Sequence, residues 1–156
     1  TGGFQSISSL QYVEFPDSIL EIRDSCFNGC GFTKSIHTGK NTLLIESGAF
    51  NGSWKTGQSI EHFTVGSKVQ TLGERAVCNL PVGTVIEELR IGESGKPSDL
   101  INVSTDAFRL NPNRGYFNKI TFYYSNESRK SFFEELTSNG AFNLANFPGT
   151  VEYTQA

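Results

Sequence analysis

Apolar residues recur along this chain as a spaced motif rather than as one continuous helical or strand period. Leu10, Val13 and Phe15 are followed by Pro16, then by Ile19, Ile22 and the pair Cys26-Phe27. The same spacing returns without a gap as Ile60, Phe63, Val65, Gly66, Val69, Leu72 and Ala76-Val77. Between these two copies lie Ile36, Thr38, Gly39, Ile45 and Ala49-Phe50. A fourth copy runs Ile86, Leu89, Ile91, Gly92, Leu100, Val103 and Ala107-Phe108, lengthened by extra residues within Glu93–Asp99. A fifth opens with Phe117, Ile120 and Phe122, and Phe4 fits as the tail of a preceding copy.

A unit of roughly 23–27 residues cannot bury its own apolar side and must stack on its neighbours. The opening apolar-x-x-apolar-x-apolar puts alternate residues of a short strand on one face. Stacked copies pair these strands in parallel, and each later apolar position joins an inward column. Pro16, Gly39, Gly66 and Gly92 turn the chain off the sheet. The small residues Cys26, Ala49, Ala76 and Ala107, each followed by a bulky one, form a tight corner. All of these positions read as core. The spacing predicts an α/β-type but β-dominated repeat solenoid with one parallel sheet and short strands or turns opposite. The crossover rule makes it right-handed.

The pattern resembles the leucine-rich repeats of the BspA-like, or Treponema pallidum-type, class. The closing segments Phe27-Asn28-Gly29-Cys30 and Phe50-Asn51-Gly52-Ser53 carry that resemblance together with the strand openings, over roughly residues 4 to 123. Thr38 and Thr42 depart from it by standing at apolar columns, and loops at Trp54–Ser59 and Glu93–Asp99 have no place in the bare pattern. The resemblance implies a concave parallel sheet and a bacterial surface or secreted protein that attaches to host proteins, matrix or other cells.

After Phe122 the motif stops, dividing the chain into a solenoid of four to five repeats over residues 1–124 and a terminal unit over 125–156. Residues 126–138 predict a short amphipathic helix, with Ser125 as N-cap, Glu127 in the first turn and Phe132, Phe133 and Leu136 on one face. Gly140 stops it, and Phe142–Tyr153 follows as a tail with a strand at Val151–Tyr153. Solenoids need their last apolar layer covered, so this unit reads as a cap.

Composition narrows the function. Thirteen basic against sixteen acidic side chains give a net charge of −3, which disfavours nucleic acid as a partner. No apolar run reaches the ~20 residues of a membrane-spanning helix, so no membrane insertion is expected. The opening Thr1-Gly2-Gly3-Phe4 has no leader character and reads as cut from a longer chain. Cys26, Cys30 and Cys78 form no metal spacing or disulfide framework and read as small hydrophobes. Nucleophile elbow, phosphate loop, dinucleotide fingerprint and zinc-protease motifs are all missing, so no catalytic, cofactor or metal residue is assigned.

Function then falls on the side chains between the inward columns. Aligning the copies stacks Tyr12, Ser35, His62, Glu88 and Lys119 in one outward column and Glu14, His37, Thr64, Arg90 and Thr121 in another. From these, Tyr12, Glu14, His37, His62, Thr64, Glu88, Arg90, Lys119 and Thr121 are the candidate contacts for a protein ligand. Gln11, Lys34, Glu61, Glu87 and Asn118 form a rim. A spacer or scaffold segment, with binding done by other domains, is the competing reading. Short, bland outward residues would favour it, whereas Tyr and Arg are types that anchor interfaces.

Overall fold

The computed structural model describes residues 2–138 and 147–156. Every strand pairing between named strands is parallel. One sheet is built from four two-residue strands: β1 (Glu21–Ile22), β3 (Leu44–Ile45), β5 (Thr71–Leu72) and β7 (Asn102–Val103), in that order. The other runs β10 (Thr150–Gln155), β9 (Lys119–Tyr124), β6 (Val85–Ile91), β4 (Ser59–Val65) and β2 (Ile36–His37), with β8 (Tyr116–Phe117) also on β6. The inward columns Ile36–Phe63–Leu89–Ile120 and Ile22–Ile45–Leu72–Val103 are in register, as the repeat spacing requires. A single core lies between the sheets. Ile36, Phe50, Phe63, Ile86, Leu89, Phe108 and Phe122 are wholly buried in it.

A turn-rich arch links each strand of the four-stranded sheet to the next strand of the other sheet. Phe27 N–H donates to Ala49 O (2.9 Å), Phe50 N–H to Ala76 O (2.8 Å) and Val77 N–H to Ala107 O (2.8 Å). This ladder locks arch to arch. Two positions in each of the first three arches have left-handed backbone, Ser25, Gly48 and Arg75 in one column and Gly29, Gly52 and Asn79 in the other. Three of the six are glycine, the residue for which that region carries no steric cost. The aromatic rings follow the ladder: Phe4, Phe27 and Phe50 stack with centroids 5.3 and 5.4 Å apart.

The departures from the motif are satisfied polar substitutions. Thr38 and Thr42 are buried, and Thr38 Oγ1 accepts from Gly66 N–H (2.9 Å) while Thr42 Oγ1 donates to Ile19 O (3.1 Å) and Thr38 O. Cys30 Sγ donates to Phe4 O (3.1 Å), and Ser53 Oγ, one repeat on, to Phe27 O (2.7 Å). Cys and Ser therefore perform one task, bonding the backbone of the preceding arch. All three thiols are free, and burial pushes Cys78 up to about 11.

Several expectations need correction. The opening repeat does not form its strand. Residues 10–15 lack strand geometry and are tied to the next coil through Gly31 N–H to Leu10 O (3.2 Å) and Thr33 N–H to Gln11 O (3.0 Å). Trp54 is no exposed loop residue. It bridges to Phe32, sits 2% exposed and packs edge-on against Phe32 and Phe63 (6.3 and 5.4 Å), so the segment before β4 fills the core. At the far end α1 spans Glu127–Ser138. Its cap is Asn126, whose Oδ1 accepts from Arg129 N–H (3.1 Å), rather than Ser125. Phe133 of α1 is buried against Phe122 of β9 (4.9 Å), with Phe132 and Leu136 partly buried beside it. Arg129 lies over Phe132 and Phe133 and donates to Ser98 O and Leu100 O. The expected strand at Val151–Tyr153 is the longer β10, whereas Gly140 and Phe142 lie outside the described residues.

Candidate functional site

The outward residues of the six-stranded sheet project from alternate positions of strands about 4.8 Å apart. Register places His62 opposite Glu88 and runs Thr64, Arg90, Thr121 and Glu152 across four strands. Ser35 Oγ, one strand before His62, accepts from the His62 N–H (3.1 Å). Tyr12 and Glu14 belong to the irregular first repeat. The Tyr12 ring, about half exposed, carries Lys34 Nζ 5.6 Å from its centroid.

Glu88 is the hub of this face. It accepts from Thr121 Oγ1 (2.7 Å) and Arg90 Nε (2.9 Å), and Lys119 Nζ lies 3.8 Å away. Burial pushes its carboxyl up, but the Thr121 and Arg90 hydrogen bonds and the Arg90 and Lys119 charges outweigh that and hold it below the usual range. Lys119 also reaches Glu152 (3.4 Å) on β10. His62 is held below its ordinary pKa by burial first and then by the Arg90 charge. Its Nδ1 lies 3.3 Å from Thr64 Oγ1. An open hollow of about 550 Å³ lies between the Glu61–Glu87–Lys119 side and Pro148–Thr150.

Two candidate contacts are not available to a ligand. Thr64 and Thr121 are only 2% exposed, covered by the longer side chains around them, and serve to position His62 and Glu88. His37 is engaged differently from expectation. Its Nδ1 accepts from Gly39 N–H (3.0 Å), and its Nε2 lies 3.1 Å from Glu93 Oε1, so the neutral Nε2–H tautomer fits both contacts. The loop after β6 thus folds back across an intervening strand to clasp β2. Gly66 lies under that path, where a Cβ would stand 2.5 Å from Gly39 O and 3.4 Å from the His37 ring. The two histidines serve different contacts, and among the described residues no His, Cys, Asp and Glu group could hold a metal ion.

Glu152 and Glu93 are the participants the repeat alignment missed. Glu93 lies in an inserted segment and Glu152 beyond the last repeat, so neither had a column to be assigned to. The surplus of residues within Glu93–Asp99 signalled a loop but not its direction.

The family model for the BspA type leucine rich repeat region matches residues 1–111, as six copies. The chain belongs to that family. No curated protein and no solved structure matches the chain. As a BspA-type leucine-rich repeat, it is a protein-interaction repeat module of a kind typical of surface or secreted bacterial proteins. The geometry agrees with that level of description. A broad face of mixed polar side chains lies on rigid strands, and no helix of the described residues is long and apolar enough to cross a membrane.

Proposed function

We propose that the chain is a non-enzymatic recognition module of a bacterial cell-surface or secreted protein, and that it holds a host or matrix protein on the outward face of its six-stranded sheet. The observation that carries this reading is the row formed by His62, Glu88 and Lys119, which strand register brings side by side with Arg90 at the centre. These groups are already ordered by one another, so a partner immobilises little on binding. Tyr12 and Arg90 are the side-chain types that most often dominate interface energy.

The spacer reading draws on one specific observation. Glu88, Arg90, Lys119 and Glu152 bond among themselves, and His37 is clasped by Glu93, so much of the face's charge is satisfied internally. Binding to a panel of purified extracellular-matrix proteins separates the two. The recognition reading expects at least one saturable ligand, which the Tyr12→Ala/Arg90→Ala double variant binds about a thousandfold more weakly, as for two hot-spot residues. Val82→Ala, at an exposed loop position away from these columns, should bind as wild type. Trp54→Ala is unsuitable as a control because it would open the core. No ligand in the panel supports the spacer, and equal binding by the double variant places the site on this chain but away from the outward columns.

A further inference from the structure

The six-stranded sheet ends on β10, and no described strand pairs the outer edge of β10. Thr150 N–H donates to Asn118 O (3.2 Å) and Ala156 N–H to Tyr124 O (2.9 Å). By the two-residue alternation of a strand, the even-numbered residues bond β9. The N–H and C=O groups of Val151, Tyr153 and Gln155 therefore point away from the sheet, and no described residue bonds them.

Natural edges are blunted by bulges, prolines, lysines or very short strands. β10 has none of these: its register with β9 is unbroken from Thr150 to Gln155, and its single charge, Glu152, stands in the outward column. Thr150, Val151, Tyr153 and Thr154 are strand-forming residues. The strand is also held firmly, since the Tyr153 ring stacks on Phe122 (5.6 Å) and its hydroxyl shares a 2.7 Å hydrogen bond with Thr137 Oγ1.

Backbone regularity and charge decide what fits this edge. A second copy stacked head to tail would bring its first repeat alongside β10, but residues 10–15 of that repeat lack strand geometry and offer no regular edge to pair. On its inner side Glu152 receives Lys119 from the adjacent strand, 3.4 Å away, and a cation beside it on the outer side continues that pairing. We propose that the edge of β10 binds an extended segment of a partner protein as a further parallel strand, with apolar or aromatic side chains beside Val151 and Tyr153 and a Lys or Arg beside Glu152. Main-chain bonds supply affinity and the flanking side chains supply selectivity. The edge adjoins the outward columns at Glu152 but does not depend on their binding anything.

The probe is a synthetic peptide of the chain's own Asn118–Tyr124 segment, which already lies parallel to β10 on its inner side and carries Lys119. Added to the intact protein, it should bind saturably and slow amide exchange at Val151, Tyr153 and Gln155. Gln155→Pro and Val151→Pro each remove an outward N–H while leaving the β9 bonds in place. Each should weaken peptide binding about tenfold, the scale of one lost charge-free edge bond. Gln155 is exposed, so its variant keeps the test valid if Val151→Pro unfolds. A peptide with Glu in place of its Lys should bind more weakly as well. Unchanged exchange at the three amides, or equal binding by Gln155→Pro, overturns the proposal. Protection of those amides that rises with protein concentration in the absence of peptide assigns the edge to a second copy and also overturns it.

Discussion

Ser53 shows how a single position carries the repeat's logic. Its hydroxyl is fully buried and donates to Phe27 O, the task that Cys30 performs one repeat earlier. Ser53→Ala leaves Phe27 O with only the Cys30 N–H (3.2 Å) and should cost about 0.5–1.5 kcal/mol in urea unfolding, whereas Ser53→Cys should retain most of the stability. Equal losses for the two variants would mean that packing, not the bond, matters there. Glu88 gives a second test. Its folded pKa lies below its unfolded one, so the carboxylate stabilises above the unfolded value of ~4.3, and this is lost as pH falls through the lower folded value. Wild type should therefore exceed Glu88→Gln in stability at about pH 7, with the gap narrowing below about pH 4. A gap independent of pH contradicts the assignment. The motif showed where Ser replaced Cys and which column Glu88 joined, but no alignment reveals that Thr64 and Thr121 are covered by their neighbours.

At the scale of elements, the repeat made the parallel pairing and its register legible, because each slip would carry an apolar column to the outside. The strands β4 and β6 lie where the openings at Ile60 and Ile86 place them, and the opening at Phe117 is divided between β8 and β9. The irregular first repeat was hidden because apolar spacing does not report pairing: residues 10–15 keep the spacing yet join the next coil without forming a ladder. Trp54 was misread for a related reason: a residue outside the motif has no column, and only the bridge to Phe32 shows that it turns inward. α1 was visible in its apolar face, yet its start was set one residue early. Asn126 caps it through the bond to Arg129 N–H. Asn126→Ala should cost about 1 kcal/mol in chemical denaturation and Ser125→Ala nothing. The reverse order would restore Ser125 as the cap.

At the scale of the whole molecule, one core joins every coil from Ile22 to Phe133, and the outward columns are its consequence. Each inward apolar residue fixes which neighbour faces out, so the surface offered to a partner is as firmly specified as the core. That is why the positions of His62, Glu88, Arg90 and Lys119 were readable from spacing alone. Their mutual bonds were not, because side-chain reach across strands follows from register and rotamer together. The clasp from Glu93 to His37 and the arrival of β10 beside β9 were hidden for the same reason.

The most direct test of recognition through this face is an NMR titration of the isotope-labelled chain with a matrix protein that binds it. Perturbed or broadened resonances should gather at Tyr12, His62, Glu88, Arg90 and Lys119. Leu43, Val82 and Ile101, exposed on other sides of the coil, should stay unchanged. Perturbation centred on Leu43, Val82 or Ile101 with the outward columns silent would contradict the account.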